Sequence, residues 1–303
     1  TSPLLPDQDF AFVIPAEKFI YKVDSTWQVA TLVSRPGIEQ YLYARGVDKD
    51  TVQDMLSAQA FLRVAGVENR VGEDEIYQTN TGYVYLNTWV GPTLEPSDEP
   101  GTYPRIESIL SWLTNHDARA VEWLYHWLAF KIQNPEVVPK IAVGFCTMPG
   151  AGKGSLYTVI QQMLGVDNTA AIERGALNSQ FNSRWAGKLF ILADEVMTSD
   201  NTKDVSERLK VLIDAPTIEL EGKGTNQREI KNRLAFMFCT NDKVTPLKVD
   251  AGDRRYSVFS NFDLLTPEYA QAVRDCYNTQ KEMTPEFVAE IRSLWRDLLE
   301  LKV

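Results

Sequence analysis

A glycine-rich loop stands between an apolar run and an amphipathic stretch, and this order constrains the fold more than any other feature of the chain. Residues 141–146 predict a buried strand, residues 147–155 read TMPGAGKGS, and a helical pattern then continues to Gly165. In such a loop, backbone N–H groups curl around a phosphate and the helix N-terminus adds a favourable dipole. The order therefore predicts a phosphate-binding loop in which Lys153 reaches the β- and γ-phosphates of a nucleotide. The predicted nucleotide-binding residues are Pro149, Gly150, Ala151, Gly152, Lys153, Gly154 and Ser155.

This loop departs from the usual pattern at two positions. Thr147 stands where the pattern begins with glycine, and Gly154 stands where a Ser or Thr hydroxyl normally binds Mg²⁺. Ser155 comes one position later and is the alternative hydroxyl for the metal. We therefore expect water, the phosphates and an acid from another strand to hold most of the Mg²⁺.

Two further apolar runs end in polar residues suited to nucleotide hydrolysis. The run 188–193 ends in Asp194 and Glu195. The run 234–240 ends in Asn241. Asp194 is expected to face the bound Mg²⁺, and Glu195 to polarise the attacking water. Asn241 is expected to orient that water and sense the γ-phosphate, while an ordinary acidic turn and an ordinary asparagine turn are the structural alternatives.

Two arginines follow this series. Arg254 and Arg255 come 13 and 14 positions after Asn241 and lead into a predicted strand at 256–260. An arginine at this place could reach a nucleotide, and we expect that nucleotide to belong to a neighbouring subunit. Successive residues of a strand point to opposite faces, so only one of the two should act, and Arg254 is favoured. Surface ion pairs with Asp250 and Asp253 are the alternative.

Composition excludes several classes of chemistry. The 303 residues include two histidines and three cysteines, with no CxxC spacing, which argues against histidine-based metal sites, catalytic triads and a zinc ribbon. The longest apolar runs are about six residues, far short of the roughly 20 that a membrane helix needs. The chain begins at Thr1 with no signal-peptide pattern, so we expect a fragment of something longer or a processed product. The widely spaced cysteines, one of them necessarily unpaired, indicate the cytoplasm.

Charge is distributed unevenly along the chain. The net charge of −10 argues against a protein coated in nucleic acid. Residues 222–255, however, contain eight Lys or Arg and four acids, a net +4, so the remainder carries −14. A local basic surface beside the nucleotide motifs is therefore expected.

The predicted nucleotide residues, from Lys153 to Arg255, fall within about 100 positions. That compactness resembles the superfamily 3 helicases, the AAA+ ring ATPases of viruses and plasmids. More specific strings resemble the phage and poxvirus-type primase-helicase group, in which glycine after the lysine is an accepted variant. These strings are residues 86–89 (LNTW), 127–135 (WLAFKIQNP), 150–154 (GAGKG) and 181–188 (FNSRWAGK), and the resemblance covers about residues 75–262.

This resemblance implies an α/β fold: an AAA+ P-loop core with a central parallel sheet, preceded by a mixed α+β N-terminal region and followed by C-terminal helices. The expected segments are an N-terminal accessory region of helices and a short β hairpin (1–104), a helical collar-like segment (105–139), the core (140–262) and a C-terminal helical segment (263–303). It also implies Mg²⁺ as cofactor, ATP as substrate and a homo-oligomeric ring, a hexamer, around single-stranded DNA. We also expect an upstream primase-polymerase domain in the same polypeptide. The protein is expected to work in the cytoplasm of a bacterial host and not at a membrane.

A hairpin is predicted between the second and third core strands. Residues 217–221 and 228–232 can pair, with 222–226 as the tip. The resemblance implies that this hairpin lines the pore of the ring and that its lysine grips the DNA backbone, an electrostatic contact without sequence preference. A solvated turn lysine is the alternative. The predicted DNA-binding residues are Lys223, Arg228 and Lys231.

Three functions remain open on this pattern. The favoured one is an ATP-hydrolysing, ring-forming helicase-like module of a viral primase-polymerase that translocates on or encircles DNA during phage replication. The second is an oligomerisation scaffold for a replication polymerase with little or no ATPase activity, which the irregular loop keeps open. The third is a P-loop kinase, which has no use for the series of acids, asparagine and arginines.

Overall fold

The computed structural model describes residues 9–23, 26–28, 31–59, 61–173, 176, 182, 185, 187–194, 203–220, 228–241, 243 and 252–303. The chain divides into two units, Thr1–Gly91 and Pro92–Val303, and each is described by itself. Within these described ranges, no helix is long and apolar enough to cross a membrane.

The described part of the first unit contains two small sheets and two α-helices. Its elements are β1 (Phe10–Val13), β2 (Lys18–Val23), β3 (Thr26–Trp27), α1 (Arg35–Ala44), α2 (Lys49–Ser57), β4 (Leu62–Val64), β5 (Gly66–Glu68), β6 (Ile76–Gln78) and β7 (Val84–Asn87). One sheet has the order β3-β2-β1-β4 and the other the order β5-β7-β6. The antiparallel pair β6–β7 turns at Gly82, whose φ of +84° suits glycine.

The second unit alternates strands with helices. Its elements are α3 (Pro104–Leu113), α4 (Ala118–Gln133), β8 (Ala142–Thr147), α5 (Lys153–Leu164), β9 (Thr169–Ile172), β10 (Phe190–Asp194), α6 (Lys203–Asp214), β11 (Thr217–Leu220), β12 (Arg228–Lys231), β13 (Ala235–Thr240), β14 (Tyr256–Asn261), α7 (Pro267–Arg274) and α8 (Pro285–Glu300).

A five-stranded sheet forms the centre of this unit. Its order is β14-β8-β13-β10-β9, and every neighbouring pair is parallel. β8 and β13 are buried along their whole length, which is why both appear in the sequence as unbroken apolar runs. β13 lies between β8 and β10, so the strand that precedes the glycine loop and the strand that ends in Asp194 are not neighbours.

Several helix boundaries have local causes. α5 ends at Leu164, directly before Gly165. The side chains of Thr266 and Thr284 cap α7 and α8 by accepting hydrogen bonds from the N–H groups of Tyr269 and Phe287. A proline follows each threonine at the first helical position.

Helix α3 is tied to helix α8 by a buried carboxylate. Glu290, 4% exposed, accepts hydrogen bonds from the backbone N–H groups of Arg105 and Ile106 at 2.9 and 3.3 Å. It also pairs with the guanidinium of Arg105 at 2.6 Å. A carboxylate at a helix N-terminus offsets both the unpaired N–H groups and the helix dipole, so this contact fixes where α3 begins.

The predicted hairpin is present. β11 and β12 pair antiparallel with Thr217 opposite Lys231. Its tip, with Lys223, lies outside the described residues, as do the side chain of Arg228 and the whole of Glu195.

The predicted fold class is confirmed. An α/β unit with an all-parallel sheet and a strand–glycine loop–helix crossover follows a mixed α+β region, and helices α7 and α8 close the chain. The one division between units falls after Gly91, and the finer boundaries at 104, 139 and 262 stay predictions.

Candidate nucleotide-binding site

The glycine loop joins the end of β8 to the start of α5. Gly150 and Gly152 have φ values of +80° and +88°, a conformation that residues with a side chain rarely adopt. A Cβ at Gly152 would also lie 3.0 Å from Ile109 of α3. The loop therefore needs glycine at these two positions, and its path leaves the first N–H groups of α5 without helical partners.

Lys153 is the first residue of α5, and its ammonium group points back over the loop. It donates hydrogen bonds to the hydroxyl and carbonyl oxygens of Thr147, at 2.9 and 3.0 Å. It also donates to the side-chain oxygen of Asn241, at 2.7 Å. Asn241 follows directly on β13, the neighbour of β8. Thr147, which the sequence marks only as a departure from the usual pattern, is therefore part of the lysine's environment.

Asp194 completes the polar edge of the sheet. It is the last residue of β10, it is exposed, and its register partner on β13 is Cys239. Asp194, Lys153 and Asn241 line one cavity of about 520 Å³ together with the glycine loop. This volume lies within the range of about 300–1,000 Å³ usual for small-molecule sites. The edge formed by the carboxyl ends of parallel strands is also where α/β proteins bind ligands.

The residues at this edge fit a magnesium ion that is shared with a nucleotide. Among the described residues, no cluster of three or more His, Cys, Asp or Glu could hold a metal ion. Asp194 supplies a single carboxylate at this edge. Mg²⁺ is typically bound through one or two carboxylates, substrate phosphates and water. Ser155 is buried, with 5% of its surface exposed, and Gly154 is open to solvent.

The arginine pair lies at the opposite end of the sheet. Tyr256, next to the pair, lies opposite Ala142 at the start of β8, whereas Asn261 lies opposite Thr147 at the loop. Five strand steps at about 3.3 Å separate the two ends by roughly 17 Å. Neither arginine therefore lies at the glycine loop of its own chain.

The two arginines also differ from each other. They occupy a turn before β14 rather than the strand itself, so the alternation of strand faces, from which only one of them was expected to act, does not apply. Arg255 pairs with Asp253 at 3.2 Å and with Asp214 of α6 at 3.4 Å, and its hydrogen bond with Asp253 raises the pKa of the guanidinium. Arg254 is exposed.

Lys231, the third predicted DNA-binding residue, is exposed at the end of β12. Its ammonium group pairs with Glu136 at 3.0 Å. It is the only one of the three predicted DNA-binding side chains that lies within the described part of the chain.

Helix α7 contacts the glycine loop, which the sequence did not predict. The hydroxyl of Tyr269 on α7 donates a hydrogen bond to the carbonyl of Ala151 at 3.0 Å. The ring of Tyr269 stacks on Trp112 of α3, with centroids 4.3 Å apart. Burial raises the pKa of Tyr269, so its hydroxyl remains a donor. No pattern along the chain indicates these contacts, because they join segments more than 100 residues apart.

The fold and the loop together define an α/β core of the P-loop type. A family model described only as a family of unknown function (DUF5906) matches residues 146–255, the stretch from the end of β8 to Arg255. Over 181 residues the chain is 31% identical to the DNA primase-polymerase of Nitratiruptor phage NrS-1. This similarity covers 58% of the chain and 25% of the relative, so the chain spans about a quarter of that protein's length.

Solved structures of the same phage protein share this fold. The apo structure of the NrS-1 C-terminal region matches 97% of this chain and 68% of its own length, with a TM-score of 0.69 and 22% identity. A second apo structure of that region, the A form, matches with a TM-score of 0.69 at 21% identity and covers 97% of this chain and 66% of its own. The predicted similarity to the C-terminal part of a phage primase-polymerase is confirmed.

Proposed function

We propose that the chain is an ATP-hydrolysing, ring-forming helicase-like module that translocates on or encircles DNA during phage replication. One observation carries the proposal: Lys153 at the start of α5, Asn241 directly after β13 and Asp194 at the end of β10 line a single cavity at the glycine loop. The similarity to a phage primase-polymerase supports a role in viral replication, with a primase-polymerase domain upstream in the same polypeptide.

Each residue at the loop has a chemical task in this proposal. The N–H groups of the loop and of the first turn of α5 bind phosphate oxygens, and Lys153 exchanges its bonds to Thr147 and Asn241 for bonds to the β- and γ-phosphates. Asp194 is the protein ligand for Mg²⁺, which when bound neutralises charge on the phosphates. Asn241 then orients the attacking water, and Glu195, outside the described residues, polarises it.

The position of the arginines supports a site shared between subunits. Because Arg254 precedes the end of β14 that lies roughly 17 Å from the loop of its own chain, we expect it to act on a nucleotide held by another copy. An arginine supplied in this way stabilises charge on the transferred phosphoryl group. The ring, a hexamer in this proposal, is therefore part of the catalytic arrangement.

DNA binding is assigned to the hairpin β11–β12. Lys223 at the tip, with Arg228 and Lys231, supplies positive charge in a chain whose net charge is −10. Replacing Lys223 by Ala should weaken single-stranded DNA binding and lower the log–log salt slope by about 0.7 for each phosphate that the lysine no longer neutralises. ATP affinity in the absence of DNA should not change. An unchanged slope would place DNA elsewhere on the chain.

Three features of the glycine loop favour a second function, which is kept as the alternative. Gly154 supplies no hydroxyl to Mg²⁺, Ser155 is buried, and Lys153 is already satisfied by acceptors of its own chain. A ring that organises a replication polymerase while hydrolysing little ATP would tolerate these features.

A DNA-stimulated ATPase assay separates the two functions. The wild-type chain, Lys153→Ala and Glu195→Gln are compared with and without single-stranded DNA, and particle mass is measured for each. The motor predicts DNA-stimulated hydrolysis, lost together with ATP binding in Lys153→Ala and lost with binding retained in Glu195→Gln. Intact rings without hydrolysis favour the scaffold. Wild-type hydrolysis by Glu195→Gln would show that the assignment of Glu195 is wrong.

A further inference from the structure

We infer that Tyr277 and Val273 bind the nucleoside part of the nucleotide whose phosphates occupy the glycine loop, an inference that rests on the proposed function. Both residues line the same cavity as Lys153 and Asp194. Val273 lies in the last turn of α7, and Tyr277 lies in the connection from α7 to α8.

The cavity continues from the phosphate loop along the outer face of α5. Gly154 leaves this face open, since a Cβ built there would meet no atom within 4 Å. Thr158 lies one turn further along the same face and also lines the cavity. It follows Lys153 by five residues, or roughly 7.5 Å of helix rise. A nucleoside attached to phosphates at the start of α5 can therefore extend over Gly154 towards Thr158 and Tyr277.

Hydrogen bonds fix the direction in which the Tyr277 hydroxyl can act. This hydroxyl donates to Oγ1 of Thr158 at 3.2 Å, and Thr158 in turn donates to the carbonyl of Gly154 at 3.1 Å. The single hydroxyl proton of Tyr277 is used in the bond to Thr158, so the hydroxyl oxygen can only accept a further hydrogen bond. A nucleoside offers matching donors in its ribose 2′-hydroxyl and in the exocyclic amine of its base.

The surroundings of this hydroxyl suit a planar heterocycle. The ring of Tyr277 is held edge-on against Phe287 of α8, with centroids 5.8 Å apart, and Phe287 is fully buried. Tyr277 and Val273 are themselves half-buried, so each presents apolar surface to the cavity. An aromatic ring, an aliphatic side chain and one acceptor are the usual elements of a base- or ribose-binding surface.

Comparing ATP with inorganic tripolyphosphate, both with Mg²⁺, tests the inference on the 303-residue chain. Tyr277→Ala should weaken ATP binding about tenfold or more, as expected for loss of an aromatic contact to a base, and leave tripolyphosphate binding unchanged. Lys153→Ala should weaken both ligands. Tyr83→Ala, which removes an exposed tyrosine of the first unit, is the matched control and should change neither.

The outcomes separate this inference from the proposed function. Equal loss of both ligands in Tyr277→Ala would mean that Tyr277 acts through Thr158 on the loop, and no loss would mean that it touches no nucleotide; either result overturns the inference. If the wild-type chain binds neither ligand, the proposed function fails as well. Val273→Ala, which shortens one side chain, should weaken ATP several-fold and tests the same surface if Tyr277→Ala does not fold.

Tyr277→Phe identifies the donor on the nucleoside. Its affinities for ATP, 2′-deoxy-ATP and purine riboside triphosphate are compared with those of the wild-type chain. If the ribose 2′-hydroxyl donates, the preference for ATP over 2′-deoxy-ATP falls in Tyr277→Phe; if the base amine donates, the preference over purine riboside triphosphate falls. No change in either preference would overturn the hydrogen-bonding half of the inference.

Discussion

The ammonium group of Lys153, at the start of α5, lies 2.7 Å from the side-chain oxygen of Asn241, which directly follows β13. With Thr147 as a second partner, the lysine already has acceptors from its own chain before any phosphate arrives. A nucleotide must therefore compete with Asn241 for the lysine. Since Asn241 is also the residue placed to orient water, nucleotide binding would release it for that task.

Asn241→Asp should weaken ATP binding. The new carboxylate would stand at hydrogen-bonding distance from Lys153, hold the ammonium group in place, and repel the triphosphate. We expect about a tenfold higher Kd for ATP, measured by titration calorimetry, and a smaller effect at high salt because screening weakens exposed charge interactions. Asn241→Ala, which removes the acceptor without adding charge, should keep ATP binding and lose hydrolysis. Unaltered ATP affinity in Asn241→Asp would show that Lys153 does not bind the phosphates.

Gly154→Ser should lower the Mg²⁺ concentration needed for hydrolysis. The added Cβ meets no atom within 4 Å, so the substitution is accommodated without strain and supplies the hydroxyl that the loop lacks. The Mg²⁺ dependence of hydrolysis is the measurement. Ser155→Ala is the matched control, because Ser155 is buried and its loss should leave that dependence unchanged. A shift in Ser155→Ala, with none in Gly154→Ser, would assign the metal hydroxyl to Ser155.

Much of the fold of the second unit can be predicted from the sequence because the patterns that indicate its elements are local. The strand–loop–helix order at Lys153, the strand end at Asp194 and the threonine caps of α7 and α8 all lie within short windows. The sequence does not predict β9, since its four residues Thr169–Ile172 include two alanines and show no periodicity. It forms because β10 offers it an open edge, which only the assembled sheet provides.

The parts of the site that come from distant segments could not be predicted. Tyr269 meets Ala151, and Tyr277 meets Thr158, across more than 100 residues of chain. The different surroundings of Arg254 and Arg255 likewise depend on Asp214 of α6, 41 positions away from Arg255. A sequence pattern records neighbours along the chain, whereas these contacts depend on how helices pack around the sheet.

Lys131 is a buried lysine whose replacement should destabilise the fold. The residue is 1% exposed, and its ammonium group donates to the carbonyls of Pro135 and Arg233, both at 2.6 Å. Lys131→Met keeps the length of the side chain but leaves these carbonyls without a donor, which should cost about 2–4 kcal/mol of the free energy of unfolding. Chemical denaturation measures the loss, and Lys302→Met, at an exposed lysine, should have no effect.

The same lysine predicts how stability depends on pH. Burial lowers the pKa of Lys131 to about 7 in the folded chain. In the unfolded chain the pKa of a lysine is about 10.4. Between these values the unfolded chain binds more protons, so this lysine's contribution to the free energy of unfolding rises with pH, by at most about 1.4 kcal/mol per unit. The stability difference between the wild-type chain and Lys131→Met should therefore grow from about pH 7 towards pH 10. A constant difference would show that the lysine stays charged in the folded chain.

Arg255 should prove structural and Arg254 catalytic. Arg255 is held by Asp253 and by Asp214 of α6, so Arg255→Ala removes a link between α6 and the start of β14. We expect it to lower the Tm and to retain DNA-stimulated hydrolysis at temperatures where the chain stays folded. Arg254 is exposed, and its removal should leave the Tm unchanged while lowering hydrolysis by about 10³–10⁵.

Mixing two inactive variants tests whether Arg254 acts on a neighbouring subunit. A Lys153→Ala subunit retains its arginine, and an Arg254→Ala subunit retains its loop. In a random equal mixture about a quarter of the interfaces of a ring pair an intact loop with an intact arginine, so hydrolysis should return to a similar fraction of the wild-type rate. Arg255→Ala in place of Arg254→Ala serves as the comparison. Arg255→Ala rings should hydrolyse ATP without being mixed with another variant. Absence of recovery in the Arg254→Ala mixture, with mixed rings confirmed by mass, would contradict the shared site and favour the scaffold.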